Sequence, residues 1–220
     1  MLQNPSTKTV QRLLFAGIIG SLLMFTGDML LYFDPGHAEM TPESIVTIMR
    51  KLDPHRVMAG GAIGPFATLL YCFGYLGIAN LVRPEHPFVK AALFLIFTVG
   101  ALYGGAAYHS HFPTMTFAPG EGKMGVIPLV DEYIDYLGYA AFGLWAVASL
   151  VFHYAVLTGK TYCRKRAALF APLPMALLVI PLVYLPAPFL IVIAGGWYCL
   201  MMTIFFAACL IEASRRPGIQ

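Results

Sequence analysis

Long apolar runs, separated by short polar or proline-rich stretches, dominate the chain. A hydrocarbon core of about 30 Å requires about 20 apolar helical residues. Six segments reach or approach that length: about 13–33, 57–82, 88–109, 127–157, 167–185 and 188–212. The runs do not alternate as barrel strands do, so the pattern predicts helices. The expected fold is all-α, a polytopic transmembrane bundle of about six spans forming one domain over residues 1–220.

The connections carry their own signals. Thr41-Pro42-Glu43-Ser44 offers an N-cap followed by Pro at the first helical position, with Ile45, Ile48, Met49 and Leu52 at helical spacing. An amphipathic outer helix over about 41–53 is expected, serving as a connector or as a lid over the bundle mouth. Residues 111–125, rich in Pro and Gly, predict an irregular outer connection. Leu185-Pro186-Ala187-Pro188 predicts a tight turn that pairs the last two spans as a hairpin, while Pro172, Pro174 and Pro181 should kink the fifth span or delay its start. Gly60 with Gly64, and Gly100 with Gly104, are small residues spaced for close helix approach, either within the chain or across a dimer.

Composition narrows the class. Hydrophobic residues make up 59% of the 220 and charged residues 11%, a balance that one soluble core could not accommodate. The net charge of +3, scattered among apolar runs, excludes a nucleic-acid footprint. There is no nucleotide or haem signature. Cys72, Cys163, Cys199 and Cys209 form no Cys-x-x-Cys pair and predict no disulfide framework; the three within apolar runs read as small hydrophobes. The first apolar run exceeds a signal h-region and lacks an Ala-x-Ala site, so it reads as a retained helix.

Lys and Arg set the expected orientation. With the N-terminus inside, ten fall on the cytoplasmic side (Lys8, Arg12, Arg83, Lys90, Lys160, Arg164, Lys165, Arg166, Arg215, Arg216) and four outside (Arg50, Lys51, Arg56, Lys123). Both termini are therefore expected in the cytoplasm, with the bacterial inner membrane as the location. The run from Lys160 to Arg166 reads as a topology anchor or a lipid-headgroup site.

Candidate chemistry gathers in the outer half. Asp28 lies about 8 Å deep in the first span, where an ionisable group requires a partner, water or a function. It shares a helical face with Gly17 and Ser21. Asp131 and Asp135, one turn apart at the start of the fourth span, could share a proton, bind a cation or complement the helix dipole. Asp28, Asp135 and His109 are the candidate catalytic residues; Arg56, Tyr108, Asp131 and Trp197 are candidates for substrate binding. Arg56 could instead neutralise Asp28 or Asp135. His109 and His111 would project about 200° apart on a continuous helix, so both could hold a divalent metal only if the helix breaks, for which Pro113 offers a cause. His153 has no nearby acid in sequence and reads as a packing residue.

Gly27-Asp28-Met29-Leu30-Leu31 resembles the Gly-Asp-x-Leu-Leu segment of the lysoplasmalogenase-like membrane hydrolases, and is similar to a segment of uncharacterised bacterial multipass families. The resemblance covers five residues and implies a role for Asp28 in hydrolysing a lipid-derived ether. Those hydrolases have about eight spans and a second Asp motif, for which this chain offers only Asp131 and Asp135. Alkaline ceramidases, a further comparison, require a His-x-x-x-His pair that this chain lacks.

Three functions compete. A membrane-embedded hydrolase or lipid-active enzyme would use the outer Asp/His pocket on a lipid or small amphiphile. An accessory or binding subunit of a membrane complex, or a homo-oligomer, would use the same groups structurally. A small proton- or cation-coupled transporter would need a polar path to the cytoplasm.

Overall fold

The computed structural model describes residues 5–36, 39, 41–117, 119–122 and 125–215. Lys123 and Arg216, counted in the charge balance, lie outside the described residues. Helices run in the order α1 (Thr7–Tyr32), α2 (Pro42–Lys51), α3 (Pro54–Ala79), α4 (Pro87–Ala101), α5 (Ser110–Phe117), α6 (Pro128–Leu157), α7 (Pro172–Ala176), α8 (Val179–Leu182) and α9 (Trp197–Ala213). A π-helical stretch, Leu102–His109, joins α4 to α5, a second, Leu190–Gly195, precedes α9, and Lys165–Phe170 forms a 3-10 turn. Among the described residues no strand forms, only the isolated bridges Val82–Thr161 and Pro119–Val126.

Four helices are long and apolar enough to cross a membrane: α1, α3, the continuous 87–117 unit and α6. The last two expected spans are shorter than predicted. Pro172, Pro174 and Pro181 divide the fifth into α7 and α8, because proline removes a donor and clashes with the preceding turn. Its partner is interrupted at Gly196 and leaves α9 with 17 residues, about 25 Å at the usual rise.

The third long helix departs from expectation in the other direction. It continues past His109 to Phe117, through a segment predicted to be irregular and across Pro113. Pro113 is accommodated because it packs on Gly61, where a Cβ would lie 2.8 Å from its Cδ. The anticipated break between His109 and His111 therefore does not occur.

α1 packs most extensively on α3, then on α9, while α4 packs on α6. Backbone contact drives the first pairing: a Cβ on Gly17 would come within 2.9 Å of the Gly74 Cα, and one on Gly60 within 3.0 Å of the Gly27 carbonyl. Gly100 and Gly104 face Trp145 of α6. These small residues thus serve contacts within the chain. Ser21 accepts a hydrogen bond from Thr203 at 2.8 Å, tying the polar face of α1 to α9.

The ends of the bundle differ. At one end, α2 begins with a capping box in which Thr41 and Ser44 satisfy each other's backbone N–H at 3.1 and 3.0 Å. Its Val46, Ile48 and Met49 are buried on Leu31, Tyr32, Val57, Met115 and Ile134. Arg50 fastens α2 to the following connection through the Gly125 carbonyl at 2.6 Å. At the other end, Gln11 meets Ser214 at 3.1 Å, and the Arg83 N–H meets the Lys160 carbonyl at 2.9 Å. The start of α1 and the ends of α3, α6 and α9 gather there, carrying most of the basic residues.

Candidate functional site

Asp28, four residues before the end of α1, is the focus of the α2 end. Its Oδ1 lies 3.3 Å from Nδ1 of His109, and its Oδ2 accepts the Cys199 thiol at 3.0 Å. Nε2 of His109 lies 3.0 Å from the Gly60 carbonyl. A carbonyl only accepts, so Nε2 bears a hydrogen, and Nδ1 faces a carboxyl oxygen, so the Asp28–His109 pair shares one further proton. Both ring nitrogens of His109 are thus engaged, one by the Gly60 carbonyl and one by Asp28. The Asp28 side chain is 14% exposed and that of His109 6%, so the carboxyl presents the more accessible surface.

Local backbone explains the arrangement. A Cβ on Gly27 would stand 2.9 Å from His109 Nε2 and 3.2 Å from the Gly60 carbonyl, so the glycine preceding Asp28 makes room for the imidazole between α1 and α3. His109 ends the π-helical stretch, and Gly195 ends the other; both stretches contribute to the same cavity. Extra residues of this kind widen a helix and often accompany binding sites.

The cavity holds about 220 Å³. Asp28, His109, Cys199, Tyr32 and Tyr71 form its polar part, and Tyr108, Phe112, Phe142, Trp145 and Tyr198 its aromatic walls, with Ile45 of α2 at its margin. Tyr198 stacks on Trp145 at 5.3 Å and lies 4.6 Å from Phe142, while Tyr108 meets Phe112 edge-on at 4.9 Å. Tyr32 donates to the Gly195 carbonyl at 3.1 Å. Such a chamber, apolar with a few convergent polar groups, has the character of a small-ligand site.

Other sequence-derived candidates stand elsewhere. Arg56 does not pair with Asp28; its guanidinium donates to the Met29 and Phe33 carbonyls at 2.9 and 2.8 Å, capping the end of α1. Asp131 is buried beside Gly122 of the connection between α5 and α6, and neither it nor Asp135 is among the described residues lining the cavity. His111 turns its Nδ1 to the Ala107 carbonyl at 2.8 Å and its ring to Tyr133 at 5.2 Å. Trp197 points away, donating to the Met175 carbonyl at 2.9 Å. His153 satisfies itself on the Ser149 carbonyl at 2.7 Å. Among the described residues no group of three or more His, Cys, Asp or Glu is arranged to hold a metal.

Sequence reasoning missed Cys199, Tyr32, Tyr71 and Trp145. Cys199 lies in an apolar run and reads as filler; the one signal near it is the Gly195-Gly196 pair, where the helix is interrupted.

Fold and site together define an all-helical protein with four helices suited to a membrane and an Asp/His/Cys cavity at one end of the bundle. The chain belongs to a family of unknown function, DUF6796, which it matches over residues 1–216. No curated protein and no solved structure matches it.

Proposed function

We propose that this is an integral membrane enzyme that performs acid–base chemistry, hydrolysis being the leading case, on a lipid or small amphiphile held in the Asp28 cavity. The observation that carries the reading is the contact of Asp28 with His109 in the lining of an aromatic-walled chamber. Asp28 acts as the acid–base group toward water or substrate. His109, held on the Gly60 carbonyl, fixes the carboxyl and takes up its charge. The aromatic walls receive the apolar part of the ligand and exclude bulk water. The likeness of Gly27-Asp28-Met29-Leu30-Leu31 to the lysoplasmalogenase-like hydrolases supports the same role for Asp28.

In this reading the chain crosses the bacterial inner membrane about six times, with the short proline-broken segments completing the bundle and both termini cytoplasmic. The collection of basic residues at the end opposite the cavity supports that orientation. Aromatic packing against the chamber supports an enzyme over a carrier: Tyr71, which lines it, stacks on Tyr75 at 5.9 Å, and Tyr75 stacks on Phe97 at 4.8 Å and packs on Phe206 at 5.5 Å.

The test is turnover of a bacterial membrane lipid extract, supplemented with ether and ester lysolipids, by protein in proteoliposomes, read by mass spectrometry. Wild type should consume one lipid class. Asp28→Asn, with unchanged helicity, should not. Equal consumption by both would overturn the reading.

A further inference from the structure

At the end of the bundle opposite the cavity, Glu212 of α9 gathers three arginines. Arg215 donates to Oε1 at 2.8 Å, Arg164 reaches the same oxygen through Nε and Nη2 at 3.2 Å each, and Arg166 Nε stands 3.8 Å from it. The other oxygen accepts the Arg164 backbone N–H at 3.2 Å. The Glu212 side chain is 4% exposed, whereas Arg164, Arg166 and Arg215 remain 46%, 57% and 43% exposed. One carboxylate thus orients three guanidinium groups and, among the described residues, leaves two positive charges uncompensated at the cluster, with most of their N–H donors free of Glu212.

An apolar groove of about 360 Å³ begins at this cluster. Arg166 and Glu212 form its polar end, and Phe170, Ile204, Ala208 and Ile211 line its length. A cationic fork continuous with an apolar channel has the form of an anionic amphiphile. Basic pockets between helices near one membrane surface recognise lipid headgroups in this way, and arginine forks match phosphate oxygens.

We propose that this cluster and groove form a site for one anionic phospholipid, its phosphate held by Arg166 with Arg164 and Arg215 and one acyl chain in the groove. The shared chemistry is a phosphate ester. The continuous apolar groove favours the lipid over a free phosphate. This site is separate from the Asp28 cavity and does not rest on the proposed activity.

The experiment is native mass spectrometry of the full chain in neutral detergent, titrated with phosphatidylglycerol and, separately, phosphatidylcholine. The first phosphatidylglycerol should bind at least about fivefold more tightly than phosphatidylcholine, and Arg166→Gln should remove that preference, a single basic contact being worth about fivefold. Arg166→Lys should restore part of it. Ala208→Leu, which fills the groove, should weaken phosphatidylglycerol with the arginines intact. Equal binding of the two lipids, or an Arg166→Gln protein that keeps the preference, would overturn the proposal. So would displacement of the lipid by an equal concentration of glycerol phosphate, which would identify a free-anion site.

Discussion

α9 meets a carboxylate near each end, Glu212 buried and Asp28 partly buried, and the two are satisfied differently. Glu212, near its C-terminus, is ringed by three arginines and a backbone N–H. Asp28, reached through Cys199 near the N-terminus of α9, meets an imidazole and a thiol and borders a cavity. The two sites lie about 20 Å apart along the helix. A carboxylate ringed by guanidinium groups acts as an anchor. One that shares its proton with a single imidazole can exchange that proton with a ligand. The contrast teaches that burial alone does not mark a reactive carboxyl; the number and charge of its partners do.

Substitutions can break this contrast at several points. The largest effect is expected at Asp28: Asp28→Asn keeps the shape and should lower turnover by about 10²–10⁴-fold, the usual contribution of a positioned acid–base group, measured on the lipid extract in proteoliposomes. Glu212→Gln should instead lower stability by about 2 kcal/mol, because it removes the charge that holds Arg164 and Arg215. Its thermal unfolding midpoint in detergent should fall while turnover per folded molecule persists.

Gly27→Ala should cost about 1–3 kcal/mol and reduce turnover together with stability, since the new methyl would meet the His109 ring. Loss of stability without loss of turnover would show that the imidazole can move aside. Arg56→Gln should remove the cap from the end of α1, costing about 1 kcal/mol. Its effect on the substrate KM should be small, because the guanidinium is committed to carbonyls. A large rise in KM would return Arg56 to the ligand. Asp135→Asn should have the smallest effect on turnover.

Much of the architecture was legible in the hydrophobic pattern. Three long helices fall near their expected bounds because each is an unbroken apolar run with a clear start, as at Pro54, where Asp53 caps the N–H groups of His55 and Arg56 at 2.9 and 3.1 Å. The continuation of the third helix through Pro113 was not legible, because the space for its ring is supplied by Gly61 of another helix. The chain also predicted that Asp28 needs a partner, but not which one. Arg56 looked suitable by charge, yet the nearer demand on it is the set of open carbonyls at the end of α1. Cys199 was invisible as a polar group, since its thiol becomes a donor only when α9 brings it to Asp28. The aromatic walls likewise came from four separate segments, and no local pattern announces their convergence.

The most direct measurement is a paired comparison of Asp28→Asn and Glu212→Gln on the same lipid extract, with thermal unfolding followed in parallel. The account predicts that Asp28→Asn loses turnover at least about 100-fold while its midpoint holds, and that Glu212→Gln loses midpoint while turnover per folded molecule holds. An Asp28→Asn protein with full turnover, or one whose only defect is instability, would contradict it.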